Sequence, residues 1–406
     1  MMKNIEGGIC APLGFKAGGV IANIRGKSKT KKDLALIVSD QPCVSVATYT
    51  QNKVKGAPLL VTKKHLKNGV AQAIICNSGN ANTCNDNGIE IAEGTCQLVA
   101  DELSLNEEDI IVASTGVIGE KMTLDPFKNH MKELVSSLHD EGSDDAANAI
   151  MTTDTVKKEY AVEFDIDGHT CHIGAIAKGS GMIHPNMATM LAFVTSDINI
   201  SKDLLEPMVR EIVDETFNMV SVDGDTSTND MLVVMCNGMA GNDKIVLKDS
   251  AYHQVRDALY FICESLSRGI AKDGEGATKL LTCHVNHARS IKDARIVAKS
   301  VITSSLFKSA MFGEDANWGR ILCAIGYSDA SFDINQVEVS LSSSKGKILV
   351  CKEGAGVAFS EDEAAVILHE DEIDIHIDLH DGDHDATAWG CDLTYDYVKI
   401  NGDYRT

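Results

Sequence analysis

A small residue followed by a threonine, at Ala188-Thr189, offers the chemistry of an N-terminal nucleophile. The threonine hydroxyl can attack the carbonyl before it and move the acyl group from nitrogen to oxygen, after which water hydrolyses the ester. The α-amine released on Thr189, with a reference pKa of about 8, suits proton transfer near neutral pH. The same residues are compatible with a flexible loop that enters a buried strand, because the apolar segment 190–194 follows directly. The pattern alone leaves both interpretations open.

Acyl transfer also needs hydrogen-bond donors for a developing negative charge, and the stretch 113–119 offers them. Thr115 and Gly116 follow the apolar run 110–112. A glycine after a small hydroxyl residue lets backbone N–H groups point at an oxyanion, although a strand-to-helix turn with a capping residue has the same composition. The stretch 77–83, NSGNANT, is compatible with a polar pocket and with an ordinary turn.

Two further segments carry charged residues that invite chemical interpretations. Glu275 lies between glycines in DGEGATK (273–279), where it can hold a substrate ammonium, but a solvated loop is the simpler interpretation. The segment HDGDHD (380–385) suggests a metal site, yet an acidic glycine-containing turn after a strand explains the same residues. The twelve cysteines are single, without a C-x-x-C pair, which argues against a zinc knuckle or a dithiol redox motif. We expect no metal site.

The elements that must position these residues alternate between helical and strand patterns, which predicts a mixed α/β architecture. Residues 164–176 have the pattern of a hairpin around Asp167-Gly168, and its second arm leads to Lys178. Isoleucines that alternate with polar residues predict a strand over 372–380. Amphipathic spacing predicts helices from Ser250 to a stop at Gly269, from Ser290 to about residue 300, and over Leu204 to Val213.

Composition limits the classes of partner. The 406 residues carry a formal charge of −22, from 37 Lys and Arg against 59 Asp and Glu. This charge would repel nucleic acid and an anionic membrane, so neither is expected as a partner. No apolar run approaches the ~20 residues that span a bilayer. Single cysteines in apolar segments, and an N-terminus without a signal-peptide pattern, predict a reducing, cytoplasmic location.

Several long motifs, taken in order, resemble the ornithine acetyltransferase family, the bifunctional glutamate N-acetyltransferases of arginine biosynthesis. They are STGVIG (114–119), MTTDT (151–155), AKGSGMIHPNMATML (177–191), DGEGATK (273–279), NWGR (317–320), AWGCDLT (388–394) and YVKINGDYRT (397–406). The likeness covers essentially the whole chain. It implies an ornithine acetyltransferase-like, mixed α/β (α+β) fold. It also implies self-cleavage between Ala188 and Thr189 into a co-folded α chain (1–188) and β chain (189–406).

The resemblance further implies roles for individual residues. Thr189 would be the nucleophile, and Thr115 and Gly116 would form the oxyanion hole. The residues implied to contact substrate are Thr152, Lys178, Thr189, Glu275, Asn401 and Thr406. In the implied ping-pong reaction, acetyl passes from N-acetylornithine to Thr189, ornithine leaves, and glutamate takes the acetyl group. Glu275 suits the substrate ammonium, and Lys178 suits a carboxylate or the oxyanion.

No cofactor is expected, because the acyl group is carried on the enzyme, and the family assembles as α2β2. Whether acetyl-CoA serves as a second acetyl donor stays open from the sequence. Two other functions also remain. An acyl-threonine can be resolved by water, as in a self-cleaving N-terminal-nucleophile hydrolase or aminopeptidase, and an uncleaved chain would instead be a non-catalytic binding protein.

Overall fold

Sixteen strands and eleven α-helices are formed by the residues that the computed structural model describes, 2–26, 30–184 and 190–403. The strands are β1 Lys3–Ile5, β2 Phe15–Val20, β3 Leu34–Tyr49, β4 Val70–Asn77, β5 Ile110–Ser114, β6 Lys158–Ile166, β7 His169–Lys178, β8 Leu191–Ser196, β9 Val220–Ser221, β10 Met231–Cys236, β11 Leu280–Ala288, β12 Glu338–Ser343, β13 Gly346–Lys352, β14 Ala355–Gly356, β15 Glu372–Asp378 and β16 His384–Cys391. The helices are α1 Ala57–His65, α2 Gly88–Leu103, α3 Asp125–Ser136, α4 Ser143–Ile150, α5 Lys202–Glu215, α6 Ser250–Lys272, α7 Ile291–Thr303, α8 Ser305–Phe312, α9 Trp318–Gly326, α10 Glu361–Leu368 and α11 Tyr395–Asp403. Within these ranges no helix is both long and apolar enough to cross a membrane.

The first sheet has nine strands, in the order β1-β6-β7-β8-β10-β3-β4-β5, with β2 paired to β3. Its central strands β8 and β10 run parallel, with Met231 opposite Leu191, and are flanked by antiparallel β7 and β3. Every residue of β8 and β10 is buried, as continuous apolar strands are when both faces of a sheet are covered. β7 and β3 precede residue 188, whereas β8 and β10 follow residue 189. The two segments predicted as α and β chains therefore build one sheet.

Helices cover both faces of the first sheet. Ala192 and Val194 of β8 belong to a core with α5 and α6, whereas Leu191 and Phe193 belong to a core with α4. The first of these cores continues through α6 to the second sheet, because α6 contacts β6 and β7 on one side and β11 and β16 on the other. The two sheets are thus joined through one buried helix layer.

The second sheet has seven strands, in the order β14-β13-β12-β15-β11-β16-β9. The predicted strand 372–380 is observed as β15 and ends at Asp378. Its three isoleucines are buried while Asp374 and His376 are half-buried on the opposite face, which confirms the period-two interpretation.

The other predicted elements form, with one correction. The hairpin is β6–β7, and its turn residues Asp167 and Gly168 have φ of 51° and 87°, as a two-residue hairpin turn requires. Ser290 caps α7, accepting a hydrogen bond from Asp293 N at 3.1 Å. The predicted stop at Gly269 is wrong. The helix continues to Lys272 because Ile270 and Ala271 of its last turn are buried in the core, and this packing outweighs the cost of a glycine inside a helix.

The cysteines behave as the apolar residues that their sequence context predicts. All twelve are free thiols, and all but Cys10, Cys84 and Cys323 are buried.

Candidate active site

A cavity of about 180 Å³ lies where the ends of several strands of the first sheet meet. Six residues predicted from the sequence line it: Thr115, Gly116, Thr152, Lys178, Glu275 and Asn401. They come from distant parts of the chain, after β5, after α4, at the end of β7, after α6 and from α11. The structure therefore brings together every predicted site residue that it describes. The other three, Ala188, Thr189 and Thr406, lie outside the described residues.

The segments on either side of residues 185–189 both contribute to this cavity. Gly181, Met182 and Ile183 line it from one side, and Met190 and Leu191 line it from the other. Leu191 is held at the start of β8 opposite Lys178 of β7. The described residues that flank 185–189 on both sides thus line the same cavity as the predicted substrate contacts.

The turn after β5 presents Thr115 and Gly116 to the cavity. Thr115 N donates to Asn77 O at 2.9 Å, which continues the parallel pairing of β4 with β5. Gly116 has a φ of 124°, and a Cβ there would lie 2.7 Å from the backbone of Gly79. Both facts require glycine at this position. Any other residue at position 116 would therefore displace the backbone that lines the cavity at this turn.

Asn229 also lines the cavity and holds the same turn by direct hydrogen bonds. Its Nδ2 donates to Ala81 O at 2.6 Å and to Ser114 O at 2.9 Å, while its Oδ1 accepts from Thr83 Oγ1 at 2.5 Å and Thr228 Oγ1 at 2.7 Å. A side-chain amide that satisfies four partners at once fixes the chain segments that carry them. Asn229 was not predicted as a site residue, although the run of polar residues DGDTSTND (223–230) before an apolar strand is a signal in the sequence.

Lys178 is the buried cation of the site, and Asp154 is the carboxylate that accompanies it. Lys178 is 8% exposed, and its Nζ donates to Thr115 Oγ1 at 3.5 Å. Asp154 accepts hydrogen bonds from Gly179 N at 2.6 Å and from Thr152 N at 3.0 Å. Burial by itself would raise the pKa of Asp154, but Lys178 and Lys158 outweigh it and hold that pKa well below its usual range. Asp154 is therefore an anion that orients the backbone next to two predicted substrate contacts.

Buried ion pairs through Lys158 link Asp154 to Asp273, in the segment that carries Glu275. Lys158 Nζ lies 2.7 Å from Asp154 Oδ1 and 2.6 Å from Asp273 Oδ2, and all three side chains are almost fully buried. Asp273 also accepts from the backbone and hydroxyl of Thr155. Asp154, Lys158 and Asp273 were not predicted as site residues, although two of them lie inside quoted motifs.

Glu275 lies in a loop that hydrogen bonds and packing hold against the cavity, so the interpretation of 273–279 as a freely solvated loop is wrong. Its backbone N donates to Ser180 O at 2.9 Å, and a Cβ on Gly181 would overlap its carboxyl group. Asn401 Nδ2 donates to Glu275 Oε2 at 2.8 Å and so holds the C-terminal helix at the cavity. The carboxylate is half-buried at the cavity wall, where it can receive a cationic group.

Residues 380–383 of the acidic segment lie in the turn between β15 and β16, as predicted, and residues 384–385 begin β16. One cluster near it has metal-ligand atoms within 4.8 Å of one another, formed by His287, Asp378 and His380. Asp378 already pairs with both imidazoles, at 2.8 Å to His287 and 3.1 Å to His380. This cluster is on the second sheet and contributes nothing to the lining of the cavity. The expectation of no metal site stays a prediction.

The sequence model of the ArgJ family matches residues 16–406. The arginine biosynthesis bifunctional protein ArgJ 1 of Clostridium acetobutylicum is 49% identical over 393 residues, which cover 97% of this chain and 96% of that protein. The arginine biosynthesis bifunctional protein ArgJ of Symbiobacterium thermophilum is 48% identical over 406 residues, which cover 100% of both chains. A crystal structure of ArgJ from Bacillus halodurans is 45% identical with a TM-score of 0.51, covering 53% of this chain and 100% of that one.

The similarity extends over nearly the whole chain and includes the segments that form the cavity. It confirms the predictions of a mixed α/β fold and of an acyltransferase of arginine biosynthesis. The chain belongs to the ArgJ family.

Proposed function

We propose that this chain transfers acetyl from N-acetylornithine to glutamate through an acetyl-Thr189 intermediate. The observation that carries the proposal is the convergence of Thr115, Gly116, Lys178 and Glu275 on one cavity, beside Met190. The cavity, at about 180 Å³, suits a substrate of amino-acid size, because drug-sized ligands occupy pockets of roughly 300–1,000 Å³.

Self-cleavage between Ala188 and Thr189 precedes transfer in this proposal. The Thr189 hydroxyl attacks the carbonyl of Ala188, and the resulting ester is hydrolysed to leave chains 1–188 and 189–406. The Bacillus halodurans chain supports the proposal, because its full length matches only 53% of this chain. A β chain of residues 189–406 would be 218 of 406 residues, or 54%.

Transfer then uses groups from both products. The Thr189 Oγ attacks the acetyl carbonyl and passes its proton to the α-amine of the same residue, which protonates the departing amine of ornithine. The oxyanion is stabilised by Thr115 and Gly116, with the Lys178 cation 3.5 Å from Thr115 Oγ1. The amine of glutamate then attacks the acetyl ester and regenerates the threonine hydroxyl.

The charges of the Glu275 and Lys178 side chains indicate which substrate groups each of them would bind. Glu275 would receive the substrate ammonium, and Lys178 would hold the oxyanion or a substrate carboxylate. Thr152, Asn401 and Thr406 would complete the substrate site. No cofactor takes part, because the acetyl group is carried on Thr189. We also propose an α2β2 assembly in the cytoplasm, and acetyl-CoA as a second acetyl donor, which the word bifunctional in the relatives' names supports.

The test is an assay of ornithine and N-acetylglutamate with and without glutamate. Equal amounts of both products, formed only when glutamate is added, support the transferase. Ornithine released at the same rate without glutamate would instead support the hydrolase alternative. Acetyl-CoA in place of acetylornithine tests the second donor, and sedimentation of the native protein at about twice the chain mass tests the assembly.

A further inference from the structure

Asp230 is a buried carboxyl group at the cavity for which neither the sequence motifs nor the proposed reaction provides a role. It lies directly before β10, lines the cavity and is 2% exposed. Its Oδ2 has no hydrogen-bond partner among the described residues. Buried polar atoms are nearly always paired, so an orphaned carboxyl oxygen facing a cavity indicates a partner that arrives there.

The strand pairing places Asp230 beside the cleavage position. β10 runs parallel to β8 with Met231 opposite Leu191, and Met231 N donates to Met190 O at 2.9 Å. Asp230 and Met190 each precede this residue pair by one position, so Asp230 lies beside Met190. Met190 directly follows Thr189 in the chain. Thr50 N donates to Asp230 O at 3.0 Å, so the backbone of Asp230 is fixed by β3 on its other side.

The environment of Asp230 in the intact chain favours the neutral acid. Burial raises its pKa well above the usual range, although a hydrogen bond from Ser227 and the charge of Lys178 act in the opposite direction. The titratable groups among the described lining residues are Lys178, Asp230 and Glu275. Before cleavage, the nitrogen of Thr189 is part of a peptide bond, so the chain has no amine at this position.

We propose that Asp230 is a positioning residue that accepts a hydrogen bond from the α-amine of Thr189 once cleavage has created that amine. The inference rests on the proposed self-cleavage. The amine is the donor that Oδ2 lacks, and holding it there directs its lone pair to the Thr189 hydroxyl. On attack, the bond from Oγ to the acetyl carbon forms and the hydroxyl proton moves to the amine nitrogen. When the tetrahedral intermediate collapses, the acetyl C–N bond breaks and the proton moves to the departing ornithine nitrogen. Asp230 gains and loses no atom in this cycle.

The first test is Asp230→Asn, a substitution of nearly equal size. Cleavage at Ala188 should persist, because the attacking hydroxyl and the oxyanion donors act before the amine exists. The kcat for acetyl transfer should fall roughly 10²-fold, as is typical when a general base is misplaced. Asp197→Asn is the matched control, because Asp197 is also buried but pairs with His172 away from the cavity.

The pH dependence of kcat distinguishes a positioning role of Asp230 from a general loss of structure in the variant. A carboxylate beside the amine favours its charged form, so its removal should let the amine deprotonate at lower pH. The acidic limb of the kcat profile should move by about one pH unit to lower pH in Asp230→Asn, and should stay in place in Asp197→Asn. Lys178 and Glu275 are present in both variants, so their effect cancels in the comparison.

Three results would decide the matter. A cleaved Asp230→Asn protein with normal kcat and an unshifted acidic limb overturns the inference. An Asp230→Asn protein that folds but stays uncleaved also overturns it, because Asp230 would then act in cleavage. Failure of the wild-type chain to cleave would refute the proposed function itself, and is recognised separately because it needs no variant.

Discussion

Gly116 offers the sharpest test of the oxyanion site, because the cost of adding one methyl group there is set by backbone geometry. In Gly116→Ala the new Cβ would lie 2.7 Å from Gly79 C and 2.9 Å from Asn80 N, both backbone atoms. Ordinary contact begins at 3.4 Å, so the turn must move by 3.4 − 2.7 = 0.7 Å. A shift of this size at a catalytic group costs on the order of 10²-fold, similar to the loss of an oxyanion donor.

Gly119→Ala is the matched control for backbone strain. Gly119 also has a positive φ, 77° against 124° for Gly116, but a Cβ there would meet nothing within 4 Å. Both alanines should destabilise the fold by about 1 kcal/mol through the positive φ, and Gly116→Ala should lose further stability through its overlap with the backbone of Gly79. Only Gly116→Ala should also slow the chemistry, with kcat reduced roughly 10²-fold and intact chain accumulating, because cleavage and transfer share the oxyanion donors.

The assay combines thermal melting, the fraction of cleaved chain on a denaturing gel and steady-state acetyl transfer. If kcat of Gly116→Ala and Gly119→Ala differs less than about threefold at a temperature where both are fully folded, the turn after β5 is not the oxyanion site. Such a result would also remove the physical reason given for glycine at position 116.

Three further predictions follow from the site and its surroundings. Thr189→Ala should remain one chain without activity, whereas Thr189→Ser, which keeps a hydroxyl, should still split; intact mass distinguishes 1–188 and 189–406 from the uncut chain. Deletion of 401–406 should raise the KM for acetylornithine markedly while cleavage survives, because it removes the Asn401 hydrogen bond to Glu275; a KM equal to that of the full chain would exclude the C-terminus from the site. His172→Gln should destabilise the fold at pH 6 more than at pH 9, measured by urea unfolding. Asp197 raises the pKa of His172 by a hydrogen bond, so the stabilisation is complete below the unfolded pKa of about 6.5 and is lost as pH rises through the folded pKa.

The sequence predicted those elements whose pattern is local. The isoleucine alternation of β15 and the Asp167-Gly168 turn are set by neighbours in the chain, and both formed as predicted. Gly269 shows the limit of such rules. Glycine is common just after the end of a helix, but here the two residues that follow it, Ile270 and Ala271, are buried in the core, and this packing overrides the local preference.

The residues of the candidate site also fall into two groups, those that a sequence motif identified and those that depend on tertiary structure. Motif resemblance identified Lys178 and Glu275, which line the cavity, but it did not identify Asp154, Asn229 or Asp230. The function of these three depends on partners far away in the chain: Asp273 lies 115 residues from the Lys158 that it shares with Asp154. A polar residue next to an apolar strand has the same local pattern whether it is exposed or buried and paired. The burial of these groups follows from the sheet order, which no local pattern specifies.

The sheet order also explains why cleavage need not disassemble the protein. β8 lies between β7 and β10, and β10 lies between β8 and β3, so the strands of the predicted β chain are hydrogen-bonded on both outer sides to strands of the predicted α chain. Six residue pairs join β7 to β8 and six join β3 to β10. Breaking the 188–189 bond removes none of these pairs, and the apolar residues of β8 and β10 stay covered on both faces. Separation of the chains would expose this whole central region to water, at about 25 cal/mol for each Å² of apolar surface. The fold therefore allows the chain to be cut between residues 188 and 189, creating a reactive amine, while the paired strands β7, β8, β10 and β3 keep their positions.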